Sequence, residues 1–410
     1  MKFKKYILIL LIMLINIITL NFNTITLAYD DFGSIISDSA ILINTKTNDI
    51  IYNKNIHKKM SPASITKILT AIVTIENTVL DETVIASKEA VLSIPDGYIK
   101  SDIKIGEILT VEQLLQMLLV HSANDAANVL AEHVGGSIPS FVSMMNTKAN
   151  DLNLKNSNFT NTYGLEDNNH YSTAYDLSQI MHYGMQNDTF RKFTSLASCA
   201  ISKTNMSNTR TYSNTNKLIV PDDSYYYSFA TSGKTGFTTN AGNCLVSSAF
   251  KNDTELICVV LGGRSTSSKN ISTRFTDSKK LYEYTFNNFS YKNLTEINKV
   301  ITSTSIKNSS GKEISVDLVS DKNINVYISD NDFEKITPII DINPDISVPI
   351  STSDILGTIK FMVNDTEYSA NLIANKNVYS DNSYMYIFAI VFAFIFIFGL
   401  IKILIHKIKS

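Results

Sequence analysis

The spacing of apolar and polar positions divides the chain into distinct kinds of segment. Ala40-Ile41-Leu42-Ile43 and Ile50-Ile51-Tyr52 are short apolar runs separated by the polar link Asn44-Thr45-Lys46-Thr47-Asn48-Asp49, which is rich in turn formers. That pattern predicts a hairpin. A helical period follows, with Ile65, Ile68, Leu69, Ile72 and Ile75 on one face of a helix opened by Ser61-Pro62. Thr110-Val111-Glu112-Gln113 is a capping-box start for a helix through Leu114 to Leu119. Ala126 to Val134 reads as another, stopped by Gly135-Gly136. Beyond Lys234 the period shortens to two. Leu245 to Ala249 and Leu256 to Leu261 predict adjacent strands joined at Lys251-Asn252-Asp253, with a returning helix from Thr273 to Phe286. From about Lys292 to Tyr379 only short strands and turns alternate. Ile314 to Val319, Ile324 to Ile328 and Gly357 to Val363 are examples, and they predict a small β-sandwich.

The two ends depart from this pattern. Residues 1–28 carry Lys2, Lys4 and Lys5, an apolar run from Tyr6 to Leu20, and Thr26-Leu27-Ala28 as a cleavage site. This is the plan of a secretory signal peptide, with an uncleaved N-terminal anchor as the alternative. Tyr384 to Ile405 is broken only by Gly399 and Lys402, and is long enough to cross ~30 Å of hydrocarbon as a helix. Lys402, Lys407 and Lys409 would stay in the cytoplasm, with Tyr384 and Tyr386 at the outer interface. The expected organisation is a signal peptide over 1–28, a mixed domain over 29–290 and a β-domain over 291–380. A transmembrane helix over 384–405 and a basic cytoplasmic tail over 406–410 complete it. The body would sit on the extracytoplasmic face of the cell membrane, held by a single pass.

Composition narrows the classes further. The 410 residues carry a formal charge of −2, and setting aside the lysines at both ends leaves a mildly acidic body. Such a body has no electrostatic footprint for nucleic acid. Three cysteines, Cys199, Cys244 and Cys258, cannot form a disulfide framework in an exported chain of this size. Cys244 and Cys258 lie in apolar strand-like runs and read as small core residues, with one disulfide open but not implied. His121 and His170 lack metal-ligand spacing to another His or Cys, so no metal or cofactor is called for.

Three motifs carry chemistry, in order: Ser64-Ile65-Thr66-Lys67, Ser122-Ala123-Asn124 and Lys234-Thr235-Gly236. Together they supply a serine acyl-transfer site that needs no histidine. Ser64, near the start of an apolar helix, would be the nucleophile, with Lys67 one turn later on the same face. Burial and the charge of Lys234 would lower the Lys67 pKa and let it act as a base. Ser122 would pass a proton to the leaving amine, and Asn124 would hold Lys67 and the substrate amide. Lys234-Thr235-Gly236 would begin an edge strand on which an extended peptide docks, with Gly236 permitting close approach. The N–H groups of Ser64 and Phe237 would then receive the oxyanion. Each motif alone is common. Ser309-Ser310-Gly311-Lys312, Ser329-Asp330-Asn331 and Ser380-Asp381-Asn382 mimic the first two in or beside the β-domain, but no Lys-Thr-Gly follows them. Order and local context give the first set its weight.

The residues around these motifs extend the pattern. Ser61-Pro62-Ala63-Ser64-Ile65-Thr66-Lys67, His121-Ser122-Ala123-Asn124-Asp125-Ala126-Ala127, Tyr163-Gly164-Leu165, His170-Tyr171-Ser172-Thr173-Ala174 and Lys234-Thr235-Gly236-Phe237-Thr238 stand in sequence. With Met145-Asn146-Thr147-Lys148-Ala149, this region resembles the D-alanyl-D-alanine carboxypeptidases, the low-molecular-mass penicillin-binding proteins. The resemblance covers about Phe32 to Phe289. It implies an α/β (α+β) penicillin-binding/β-lactamase-like catalytic domain with a helical subdomain, followed by a small all-β domain. It also implies that peptidoglycan stem peptides ending in D-Ala-D-Ala are substrates and that β-lactam antibiotics acylate the enzyme. Lys234 and Thr235 would then bind the terminal carboxylate. The family places an arginine after the strand that follows Lys-Thr-Gly, a role that Arg274 fits better than Arg264 because it opens the returning helix. Thr231-Ser232-Gly233 before Lys234, Thr215-Asn216, and the fully apolar tail depart from the family pattern.

Three other functions compete. A class A β-lactamase would need Glu-x-x-Leu-Asn between the second and third motifs, and Glu166 is followed by Asp167-Asn168-Asn169-His170 instead. A transpeptidase would use the same acyl-enzyme with an amine acceptor. From another class, a non-catalytic peptidoglycan-binding protein would be expected to have eroded motifs.

Overall fold

The computed structural model describes residues 32–266, 271–308, 310–363, 366–380 and 383–409; the side chains of 266, 383, 384 and 402–409 are outside that description. The expected leader over 1–28 also lies outside it. The chain divides into two units, one ending at Ser290 and the other running on from Tyr291.

The first unit is built on a five-stranded antiparallel sheet. Its strands are β1 Ser39–Asn44, β2 Ile50–Lys54, β3 Ala230–Thr238, β4 Gly242–Lys251 and β5 Thr254–Gly263, in the order β2-β1-β5-β4-β3. The predicted hairpin is β1–β2. The β4–β5 hairpin turns at Asn252 and Asp253, both at positive φ, the backbone that a tight primed turn requires. All six residues of β1 are buried because both faces of the sheet are covered. On one face Ile41, Ile43, Val246, Ile257 and Val259 join a large helical core. On the other lies α7 Thr273–Asn288, whose Tyr282 hydroxyl donates to Ser247 O at 2.7 Å.

The helical core is made by α1 Lys67–Asn77, α2 Val111–Gln116, α3 Asn124–Gly135, α4 Ile138–Asp151, α5 Ala174–Gly184 and α6 Asp188–Thr194. The capping box at Thr110 and Gln113 is formed, and Gly136 caps α3 in the left-handed conformation. Helix α1 is buried on every side from Lys67 to Thr74, because α3, α4, α5 and α6 surround it. Its apolar spacing suggested only one buried face. The threonines on the other faces satisfy their hydroxyls through backbone carbonyls, Thr70 on Thr162 O at 2.5 Å and Thr74 on Thr70 O at 2.8 Å.

Up to its last helix the second unit is built on β-strands, as expected, with a single one-turn helix between them. Strands β7 Val300–Lys307, β8 Glu313–Ser320, β10 Ile339–Ile342, β11 Ile355–Val363 and β12 Thr366–Ala374 form a five-stranded sheet ordered β7-β8-β12-β11-β10. Strands β6 Phe289–Thr295 and β9 Ile324–Ser329 form a two-stranded sheet, and Val326 and Ile328 pack on Val363 of the larger one. Two of the motif mimics are turn and cap chemistry in their described residues, while Asp381 and Asn382 of the third lie outside the described residues. Gly311 has φ +82, and Ser329 accepts from Asp332 N as the N-cap of a one-turn helix. A last helix, α8, spans Ser383–Lys409. The expected transmembrane helix is not established, because among the described residues no helix is long and apolar enough to cross a membrane.

Candidate active site

Strand β3 is the free edge of the large sheet, and the turn that carries Ser64 packs against it. Two local expectations need correction. Strand β3 starts at Ala230 with a register shift between Ala230 and Ser232, so Lys234-Thr235-Gly236 lies inside the strand and does not begin it. Ser64 precedes the α-helix in a 3-10 turn, Ala63–Thr66, which passes into α1 at Lys67. Residues three apart eclipse one another in such a turn. Lys67 Nζ accordingly stands 2.9 Å from Ser64 Oγ.

Lys67 Nζ also donates to Tyr163 O at 2.9 Å. The side chain is fully buried. Burial, and after it the charge of Lys234, holds its pKa well below the ordinary lysine value. A lysine in this state can give up its proton and accept another. Lys234 is equally buried, and its Nζ donates to Ser122 Oγ at 2.8 Å and to Thr235 O at 3.0 Å. Burial, followed by the Arg274 guanidinium, lowers its pKa to about 7. Thr235 Oγ1 donates to Thr215 Oγ1 at 2.7 Å, and Arg274 Nη1 donates to Gly236 O at 3.0 Å.

The backbone around the two serines is held in uncommon conformations. Ala63 has φ +47 and Ser122 φ +71, both in the left-handed region that residues with a Cβ rarely adopt. Ser122 ends a π-helical turn, Met117–His121, that continues α2, and Asn124 opens α3 directly after it. Two glycines let neighbouring chains close on Ser64. A Cβ on Gly236 would stand 2.8 Å from Pro62 O and 3.1 Å from Ser64 N, and one on Gly164 only 1.8 Å from Ala63 O. The resulting cleft has a volume of about 400 Å³, and Ser64, Ser122, Asn124, Thr235, Arg274 and Glu166 are among its lining residues.

The structure therefore brings the three motifs together, with one change of partner. Asn124 Oδ1 is buried without a hydrogen-bond partner, so it does not hold Lys67. Tyr163 O takes that place, a backbone contact whose sequence cue was the adjacent Gly164. Of the two arginines, Arg274 lies on the cleft wall. Arg264 is mostly exposed, with Nη2 3.5 Å from Asp38 Oδ1. Glu166 lines the cleft, but its oxygens accept from Asn240 N at 3.0 Å and Asn240 Nδ2 at 2.7 Å. Asn216, next to the departure at Thr215, is buried and donates to Ser232 O at 3.2 Å, bracing the entry to β3.

His170 is buried behind the turn that carries Ser64, a role the sequence did not assign. Its Nδ1 accepts from Thr160 N at 3.0 Å, so the proton sits on Nε2 and is donated to Thr66 Oγ1 at 2.8 Å. Burial lowers its pKa to about 4, so it is neutral at pH 7. Cys199, Cys244 and Cys258 are all free and buried, and burial raises each thiol pKa, to about 11, 11 and 12.

The D-alanyl-D-alanine carboxypeptidase family model matches residues 25–265. The chain belongs to that family. A second model, for the C-terminal domain of penicillin-binding protein 5, matches residues 289–381 of the carboxypeptidase. The enzyme is 30% identical over 326 residues to the D-alanyl-D-alanine carboxypeptidase DacF of Bacillus subtilis, which covers 78% of this chain and 80% of that relative. It is 27% identical over 352 residues to DacC of Escherichia coli, covering 82% and 83%. Among solved structures, penicillin binding protein 5 of Haemophilus influenzae matches with a TM-score of 0.63 at 26% identity, over 85% of this chain and 98% of that one. The carboxypeptidase DacD of Francisella tularensis matches with a TM-score of 0.66 at 25% identity, over 85% and 95%. The fold is thus a penicillin-binding-protein-5-like α/β catalytic domain followed by an all-β domain. The protein is a serine D-alanyl-D-alanine carboxypeptidase that works through an acyl-enzyme and is acylated by penicillin.

Proposed function

We propose that Ser64 is the nucleophile with which this carboxypeptidase removes the terminal D-alanine from peptidoglycan stem peptides. The observation that carries the reading is the 2.9 Å approach of a fully buried, pKa-depressed Lys67 to Ser64 Oγ. Neutral Lys67 takes the hydroxyl proton as Oγ attacks the carbonyl of the penultimate residue. The N–H groups of Ser64 and Phe237 receive the oxyanion, since Gly236 lets β3 lie against the Ser64 turn. Lys234, Thr235 and Arg274 hold the substrate's terminal carboxylate. Arrival of that anion favours the charged form of Lys234, whose pKa of about 7 leaves it poised to respond. Ser122 gives its proton to the leaving nitrogen and is resupplied from Lys234, whose Nζ donates to its Oγ at 2.8 Å. The buried carboxamide oxygen of Asn124 accepts from the substrate amide. Water then cleaves the Ser64 ester.

Penicillin supplies the test. Digestion and mass spectrometry of the labelled enzyme are expected to place a single adduct on the peptide containing Ser64. An adduct on any other serine overturns the assignment.

We also propose that α8 anchors the enzyme in the membrane, with the catalytic domain outside the cytoplasm. The apolar run from Tyr384 to Ile405 supports this, as do Phe388 and Phe392, exposed at 71% and 73%. Truncation after Tyr379 is expected to move the enzyme from the membrane fraction to the soluble one with penicillin labelling retained. A truncated enzyme that stays membrane-bound rejects the anchor.

A further inference from the structure

Lys234 and Arg274 give one end of the cleft a cationic character suited to an anionic substrate end. Glu166 is the carboxylate among the cleft-lining residues. Its loop is pinned to the nucleophile turn, because Gly164 lies against Ala63 and Ser64 with no room for a Cβ. Asn240, in the turn between β3 and β4, donates to both carboxylate oxygens, at 3.0 Å and 2.7 Å. The carboxylate is thus oriented from two sides of the cleft, and each oxygen keeps a lone pair for another donor. Among the described residues it has no salt bridge to a lysine or arginine.

The order of groups along β3 says which part of a substrate meets it. Given the reading above, the terminal carboxylate lies at Lys234 and Thr235 and the scissile carbonyl at Gly236 and Phe237. A peptide extended along this edge then carries its acyl-side residues past Thr238 and Thr239 toward Asn240 and Glu166. Phe237, 62% exposed on the same cleft, offers apolar surface for a methylene stem. The geometry points to Glu166 as a specificity-determining residue that binds a free ammonium on the side chain preceding D-Ala-D-Ala. This rests on the assignment of Ser64 and β3 and adds to it the class of acyl donor preferred.

The test compares two tripeptides, Nα-acetyl-L-lysyl-D-alanyl-D-alanine with a free ε-amine and its Nα,Nε-diacetyl form. The wild-type enzyme is expected to favour the free amine by about tenfold in kcat/KM, the scale of one charge-assisted hydrogen bond. That preference should shrink as ionic strength rises. In Glu166→Gln, which keeps the side-chain length, the ratio should collapse to about one. A wild-type enzyme indifferent to the amine, or a variant that retains the preference, overturns the proposal. A variant slowed equally on both peptides would show that Glu166 only holds its loop, which also overturns it. Absence of D-alanine release from either peptide by the wild-type enzyme, together with penicillin labelling away from Ser64, would instead overturn the underlying site assignment.

Discussion

Lys67→Met is expected to slow penicillin acylation and D-alanine release by about 10³-fold, the usual contribution of a positioned general base. Methionine keeps the unbranched stem in the dry space around α1 but removes the nitrogen that stands 2.9 Å from Ser64 Oγ. The fold should survive the change. A lysine whose folded-state pKa is depressed binds fewer protons when folded than when unfolded, so its burial costs stability at neutral pH. That cost fades as pH rises toward the ordinary lysine value, where the unfolded chain also loses its proton. The variant should therefore melt at or above the wild-type temperature near pH 7, and the difference should narrow at alkaline pH. The same sign holds for Lys234, whose pKa of about 7 sets the window: stability rises with pH between about 7 and 10.5. Rapid-quench acylation and melting curves from pH 7 to 10 check both parts. Acylation at the wild-type rate would move the base to Lys234 and Ser122.

Gly164→Ala is expected to damage stability and activity together. The new Cβ would lie 1.8 Å from Ala63 O, 2.2 Å from Ala63 C and 2.9 Å from Ser64 N. These are backbone atoms and cannot swing aside. The residue also holds φ +91, which an alanine adopts only under strain. Displacement of the turn by even about 1 Å would cost about 10²-fold in acylation, with about 3 kcal/mol lost from stability. Gly136→Ala is the comparison: φ is +71, nothing lies within 4 Å, and the expected cost is about 1 kcal/mol with acylation unaffected. If Gly164→Ala behaves like Gly136→Ala, the wedge against the Ser64 turn is unimportant. Denaturant melts and penicillin acylation rates separate the two outcomes.

Elements governed by local chemistry were legible before the fold was known. The β1–β2 hairpin, the Thr110 capping box, the Gly136 stop and the strands around Asn252 follow from turn formers, caps and periods acting within a few residues. The three motifs were recognisable because their residue types must converge on one reaction, whatever their distance along the chain. What failed was local geometry under tertiary control. An apolar period cannot show that Ser64 lies in a 3-10 turn, because the same residues fit the start of an α-helix. Nor does it reveal that α1 is buried all round, since its threonines satisfy themselves on carbonyls supplied by other segments.

By itself the sequence determined the kind of chemistry and the two-part plan of the described chain. A serine hydroxyl, two lysines and an edge-strand glycine carry their chemistry in the residue type itself. Only the tertiary structure decided how they are tuned. It buried Lys67 and Lys234, which lowers both pKa values, with the charge of Lys234 adding to the effect on Lys67 and that of Arg274 to the effect on Lys234; it replaced Asn124 by Tyr163 O as the group that holds Lys67, and set Arg274 rather than Arg264 on the cleft wall. It also placed Glu166 against Asn240, more than seventy positions away in sequence. Desolvation, charge proximity and backbone contacts between remote segments depend on packing, and no short stretch of the chain encodes them.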